Sequence, residues 1–279
     1  MPRARLRASN FNAMNPLAIS RVSVKSPFHE NNEDACFVSD SLIIVADGMG
    51  GESSGDIASR IAVESIASSL KRIETDTLTS DEVRNLMFAA ISHADKEISD
   101  YITAHPDSFG MGTTVLAAMI RDGHIYIAWC GDSRCFLYTD GHLKSLTKDH
   151  SYVQELIDRD ELSVEESFTH PDSNLITRYV GGGEDTCLPE FTTHATKEGD
   201  TYIFCSDGLS GYCPSGDIEN CIRANSRAQD LPSELLSVAT GHGSDDDITI
   251  VTATSGAPRS RRRHTLFGWL RHTPRPAAN

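Results

Sequence analysis

No apolar run in this chain is long enough to cross a bilayer. The longest charge-free apolar stretch, "FGMGTTVLAAMI" from Phe109 to Ile120, carries two glycines and two threonines and stops well short of the roughly 20 residues a membrane helix requires. Cysteine is sparse and unpaired in pattern. The seven residues form no Cys-x-x-Cys spacing and follow no secretory leader, which argues against a disulfide framework and against zinc, and for a reduced, cytoplasmic protein. Ser133 and Ser206 each sit beside an aspartate, yet neither lies in a Gly-x-Ser-x-Gly elbow, which argues against a serine hydrolase. Residues 22–254 also lack internal repeats and low-complexity inserts.

Positive charge is nearly missing from the body. Residues 1–21 hold four Arg and no acid, and residues 255–279 hold six Arg and no acid, leaving 15 bases against all 40 acids in between. Such a field repels phosphate backbones, so nucleic-acid binding by the body is disfavoured unless cations reverse the local sign. In the tail "RSRRRHTLFGWLRHTPRP", Leu266, Phe267, Trp269 and Leu270 alternate with basic clusters. That composition suits contact with an acidic partner or an anionic membrane surface, and suits a solvated flexible tail equally well.

The 39% hydrophobic content is enough for a buried core. "AMIRDGHIYIAWC" and "CFLYTDGHLKSL" each centre an Asp-Gly pair between apolar runs, the pattern of a tight β-hairpin. "ACFVSDSLIIVA" reads as another hairpin, and "TYIFCS" and "ITIVTAT" as later strands. Val83, Leu86, Met87, Ala90, Ile91, Ala94, Ile98 and Tyr101 keep helical spacing behind a capping box, "TSDE" from Thr79. Val63, Ile66, Ala67, Leu70 and Ile73 mark a preceding helix, and shorter helices are expected over 151–158, 216–225 and 231–240. The chain thus reads as one α+β domain over residues 22–254, helices segregated from antiparallel sheets, between flexible basic extensions at 1–21 and 255–279.

Acids recur where strands end. Asp47 follows "LIIVA" into a glycine stretch, Asp132 follows "IYIAWCG", Asp207 follows "YIFCS", and Asp245, Asp246 and Asp247 precede "ITIV"; Glu33 and Asp34 open another strand. Each alone is ordinary turn or surface chemistry. Gathered at one sheet edge, these carboxylates would repel one another unless protonated or neutralised by cations, and hard oxygen ligands call for Mg²⁺ or Mn²⁺.

In order, "NNED", "VADGMGG", "MGTT", "GDSR", "KDHS", "HPDSNLITRYVGG", "CSDGLSGY" and "GSDDDIT" resemble the motif series of the metal-dependent protein phosphatases, the type 2C serine/threonine family, in its bacterial branch. The resemblance spans roughly residues 20–254, and eight motifs in the right order are far more specific than any one. It implies a four-layer α-β-β-α sandwich of two antiparallel sheets flanked by helices. It further implies that Asp47 bridges two Mn²⁺ or Mg²⁺ ions, that the Gly48 carbonyl joins one of them, and that Asp207 and Asp246 hold the other. Glu33 and Asp34 resemble the acids that orient metal-bound water. The implied reaction is hydrolysis of phosphoserine and phosphothreonine in proteins by a metal-activated water, opposing a bacterial Ser/Thr kinase. A monomer is expected.

Four positions depart from the family pattern. His29 stands where an Arg grips the substrate phosphate, and Gly211 stands where an acid joins Asp132 and Asp207 around a third ion, so that ion should be weak or absent. Asp247 replaces a usual Asn. Met49, normal for bacterial relatives, replaces the His of eukaryotic members. His29 can offer the phosphate one hydrogen bond, or Lys25 or another base can take the role; Arg178 reads as packing or pairing with an acid, and His150 and His170 as turn or packing residues. Cys130 and Cys135 read as small buried hydrophobes. The segment 149–182 resembles the flap beside the family's cleft. The rival reading is a pseudophosphatase that binds phosphoproteins without turnover.

Overall fold

The computed structural model describes residues 17–50, 54–71, 73, 78–183, 185–224 and 227–256. The chain starts with three strands, β1 (Leu17–Val24), β2 (Asp34–Val38) and β3 (Leu42–Met49), followed by two long helices, α1 (Gly55–Leu70) and α2 (Ser80–Ala104). A meander follows: β4 (Gly112–Thr113), β5 (Val115–Arg121), β6 (His124–Cys130), β7 (Arg134–Thr139) and β8 (His142–Ser145). Helices α3 (Tyr152–Asp158) and α4 (Val164–Ser167) lead to β9 (Glu190–Ala195) and β10 (Thr201–Cys205). The chain then forms α5 (Asp207–Ser210), α6 (Ser215–Ala224) and α7 (Leu231–Gly241) before β11 (Ile248–Ser255).

Local chemistry accounts for the turns and the main helix start. Asp122 and Gly123 both adopt positive φ (49° and 79°), as do Asp140 and Gly141 (52° and 88°), so each Asp-Gly pair closes a hairpin with the twist its strands need. Thr79 Oγ1 accepts from the Glu82 amide while Glu82 Oε2 accepts from the Thr79 amide at 2.8 Å, the reciprocal cap that starts α2.

Two antiparallel sheets result, one in the order β1-β11-β10-β7-β8 and one in the order β2-β3-β5-β6-β9, with β4 paired to the end of β3. Three apolar cores separate four layers. Leu42, Ile44 and Ala46 of β3 pack under α1 and α2, while Ile43 and Val45 point into the space between the sheets. Tyr202 and Phe204 of β10 meet them there, and Ile203 and Cys205 face the layer built by α5, α6 and α7. The uninterrupted apolar runs of β3 and β10 follow from this, because both faces of each strand are covered. This is the expected α-β-β-α sandwich.

The domain begins earlier than the charge pattern implied. Residues 17–21, expected within a flexible basic extension, form the first part of β1, which pairs with β11 from Leu17↔Ser255 to Val24↔Ile248. The reason is alternation: Leu17 and Ile19 reach the inter-sheet core, Val22 and Val24 reach the helix-covered core, and exposed Arg21 is carried along with them. At the other end Ser255, expected in the second extension, closes β11, and Gly256 follows it; residues 1–16 and 257–279 lie outside the described residues. Among the described residues, no helix is long and apolar enough to cross a membrane.

Candidate metal centre

Strand directions bring one set of ends to one edge of the sandwich. The C-terminal ends of β3, β6 and β10 lie there with the N-terminal ends of β2, β7 and β11, as the antiparallel registers require. Asp34 is the direct cross-strand partner of Asp47. Asp207 opens α5 one residue after Ser206 leaves β10, and Asp246 and Asp247 stand just before β11.

Hydroxyl groups position Asp47 through its backbone. Its backbone N–H donates to Thr114 Oγ1 at 3.0 Å, and its carbonyl accepts from Thr113 Oγ1 and the Thr114 amide, both at 2.8 Å. Thr114 Oγ1 in turn shares a 2.8 Å hydrogen bond with Ser133 Oγ. The "MGTT" and "GDSR" motifs therefore act through hydroxyls that anchor the end of β3. Ser206 does the same between sheets, donating from Oγ to Asp34 Oδ2 at 2.7 Å and accepting from the Thr249 amide at 3.0 Å.

Two glycines permit the approach. A Cβ on Gly48 would meet the Gly55 carbonyl oxygen at 2.0 Å, and one on Gly208 would meet the Asp247 carbonyl oxygen at 2.0 Å, both rigid backbone contacts. The Gly48 amide donates to the Glu33 carbonyl at 3.1 Å, seating the "NNED" turn over the start of α1.

The carboxyls face one another, and their proton affinities record it. Burial, then the charges of Asp207, Asp34, Asp132 and Asp246, hold the Asp47 carboxyl well above the usual carboxylate range. Burial and Asp207 likewise raise Asp132, and burial raises Asp207 itself. Burial, opposed by the Ser206 hydroxyl and assisted by Asp207 and Asp247, pushes Asp34 up to about 8. Burial and Asp207 push Asp246 up to about 6, and burial raises Glu33. Oδ1 of Asp34 and Oδ1 of Asp207 are buried without a hydrogen-bond partner. Unpaired anionic oxygens among acids that raise one another are what a hard divalent cation fits. The base that most opposes the Asp207 shift, Arg134, is engaged elsewhere, forking onto Asp149 at 2.6–3.0 Å and donating to the Ser210 carbonyl.

Two of the four departures turn out to be neighbours. His29 Nδ1 lies 3.1 Å from Asp247 Oδ2. Asp247, 3% exposed, also accepts from the Ser26 amide through Oδ1 and from the Glu33 amide through Oδ2, both at 2.6 Å. It thus clamps the loop between β1 and β2 that carries His29 and Glu33. His29, Asp246 and Asp247 each present a ligand atom within 4.8 Å of the others, but both oxygens of Asp247 are already occupied by amides, which makes it a clamp. Gly211 caps the single turn begun by Asp207, its amide donating to the Asp207 carbonyl at 2.6 Å, so no third carboxylate joins Asp132 and Asp207 from that position.

Other candidates resolve simply. His150, 6% exposed, stacks on Trp129 and accepts from the Gly131 amide. His170 accepts from the Asp172 amide, and Arg178 pairs with Glu190 at 3.1 Å. Asp95 of α2 escaped the motif search, because a lone acid in a helical pattern carries no signal. It is buried, and its Oδ1 accepts from the Gly181 and Gly183 amides at 2.6 and 3.3 Å, pinning the glycines that end the flap-like segment.

Comparison with known proteins agrees with this geometry. The sequence model described as protein phosphatase 2C matches residues 29–240. The serine/threonine phosphatase Stp of Listeria innocua is 35% identical over 214 residues, covering 75% of this chain and 82% of that protein. The crystal structure of the serine/threonine phosphatase PstP/Ppp of Mycobacterium tuberculosis superposes with a TM-score of 0.78 at 29% identity, covering 87% of this chain and 100% of that one. A PstP catalytic domain in complex with two manganese ions superposes at 0.77 with 29% identity, covering 87% and 99%.

Two outcomes follow from the geometry. A carboxyl whose proton is held more tightly in the folded chain contributes stability that is full below its unfolded pKa and is lost as pH rises through the folded one. Here the window runs from 3.8 to about 8 for Asp34 and to about 6 for Asp246. Melting with a chelator present should therefore occur at lower temperature at about pH 8 than at about pH 5, and Mn²⁺ should raise the midpoint more at the higher pH, where protons no longer compete. A Mn²⁺ shift equal at both pH values would remove the carboxylate cluster as its cause. In Asp247→Asn, one amide partner is lost because the side-chain NH₂ cannot accept, so urea unfolding should register a loss of about 1–3 kcal/mol; parental stability would show that the double clamp is not formed.

Proposed function

The chain belongs to the protein phosphatase 2C family, and from that premise we propose that it is a metal-dependent protein phosphatase hydrolysing phosphoserine and phosphothreonine in protein substrates. The observation that carries the reading is the meeting of Asp34, Asp47, Asp132, Asp207 and Asp246 at one sheet edge, with anionic oxygens left unpaired. In this reading the carboxylates of Asp47, Asp207 and Asp246 and the Gly48 carbonyl would hold two ions. Asp132 and Asp207 alone offer a weak third position. Bound Mn²⁺ or Mg²⁺ would supply the positive charge that a phosphate ester needs in this acidic body, and would render water acidic enough to attack phosphorus near neutral pH.

The chain's own groups do the positioning. Glu33 and Asp34 would accept hydrogen bonds from water near bound ions and so orient it; Ser206 holds the Asp34 side chain and the Asp247 clamp holds the Glu33 backbone. His29, with Nδ1 turned to Asp247, has Nε2 left to donate to a phosphate oxygen. A single imidazole donor replaces a bidentate Arg fork, so phosphate esters bind weakly. The cellular setting in this reading is cytoplasmic and monomeric, opposing a Ser/Thr kinase.

The pseudophosphatase reading draws on the same two positions, His29 and Gly211. Turnover of p-nitrophenyl phosphate separates the readings: hydrolysis that requires Mn²⁺ and disappears in Asp207→Asn supports the enzyme, and no hydrolysis by the parent across a broad pH range supports the binding module. His29→Arg should lower KM for phosphate esters severalfold with little change in kcat, in steady-state assays at fixed Mn²⁺. A KM that stays level or rises would assign the phosphate contact to another group, Lys25 being the nearest base in the loop.

A further inference from the structure

Two cysteines that play no part in the phosphatase reading share one packed cluster. Cys130 ends β6 with no exposed surface, and its Sγ donates to the Thr186 carbonyl oxygen 3.7 Å away. Cys187, the next residue after that carbonyl, is partly exposed and packs on the same core cluster, so the Cys130 sulfur lies against the backbone that carries Cys187; each thiol shifts the other's proton affinity, Cys130 downward and Cys187 upward. Their approach is built in. The Gly183 carbonyl accepts from the Thr186 and Cys187 amides at 3.1 and 2.9 Å, which holds Cys187 close to Gly183, and Asp95 holds the Gly183 amide from α2. The neighbouring imidazole of His150 does not make this a metal site. Its Nδ1 accepts from the Gly131 amide, and its Nε2 lies 3.3 Å from both Glu190 Oε1 and Arg178 NH1.

We propose that Cys130 and Cys187 form an oxidation site, a dithiol that closes to a disulfide under hydrogen peroxide and ties the end of the flap-like segment to β6. One of the two sulfurs, Cys187 being the nearer to solvent and Cys130 the more readily ionised, attacks one peroxide oxygen; the O–O bond breaks, giving a sulfenic acid and water. The other sulfur then attacks the oxidised one, forming S–S and breaking S–O, with a second water released. Two thiols lose two electrons, one peroxide gains them, and both thiol protons end in water. The tie has a short path to the cluster. Val180, in the same segment, pairs with Thr113, whose hydroxyl donates to the Asp47 carbonyl.

The two cysteines fall on separate tryptic peptides, residues 122–134 and 179–197, so the bond is directly readable by mass. The full chain is treated with peroxide, alkylated and mapped without reduction. The expected result is a linked pair of these peptides lighter by two hydrogens than their sum, two fewer titratable thiols than the seven of the reduced chain, and recovery of both with dithiothreitol. Amide exchange at Thr186 and Cys187 should slow in the oxidised protein. Cys187→Ser, a change at a partly exposed position, should abolish the link and leave Cys130 alkylatable. Independent sulfinic acids on the two peptides, both thiols still free at peroxide levels that oxidise the chain's other thiols, or peroxide sensitivity of thiols 130 and 187 unchanged in the absence of the partner would overturn the proposal.

Discussion

Mutual repulsion among buried and half-buried carboxylates is the constraint around which this protein is arranged. Burial first, and then the charge of Asp207, raise the proton affinities of Asp34, Asp47, Asp132 and Asp246 at one edge of the sandwich. No arrangement of loops alone would hold such a set, since each acid gains by moving away into water. The sheets prevent that. Asp47 follows directly on five residues of β3 buried on both faces, and Asp207 is joined through Ser206 to the equally buried β10. Hydrophobic burial, which has no direction of its own, is converted here into the placement of charge.

Backbone anchoring completes the arrangement without consuming the carboxylate oxygens of Asp47. Thr113 and Thr114 satisfy its peptide groups, and Ser133 holds the Thr114 hydroxyl in place. Asp247 plays the opposite part among the acids: its oxygens are spent on the amides of Ser26 and Glu33, so it shapes the loop and does not compete for a cation. Clamp and cluster are distinguished by what their oxygens already hold. The same accounting places Arg134, whose fork is committed to Asp149, outside direct substrate contact.

Much of this could be read along the chain. The Asp-Gly hairpins, the Thr79 capping box and the continuous apolar strands have local causes, and all appear where the pattern put them. β1 was missed because its apolar residues alternate between two cores, 17 and 19 on one side, 22 and 24 on the other, with Arg21 between; no single-face count detects such a strand. His29 and Asp247 each looked like an isolated departure, although they are 3.1 Å apart. Asp95 and the Cys130–Cys187 pair gave no signal, because their partners are respectively 86 and 57 residues away and of unremarkable type.

What the amino-acid order determined by itself was the inventory: which segments bury both faces, where turns fall, and that acids stand at the strand ends. Those properties depend on neighbours a few residues away, through side-chain periodicity and backbone preference. Only the tertiary structure decided which acids meet, which oxygens remain unpaired and which aspartate becomes a clamp. Those outcomes depend on distances of a few ångströms between residues some 13 to 220 positions apart, and electrostatic and hydrogen-bond energies change over that length scale, which sequence spacing does not encode.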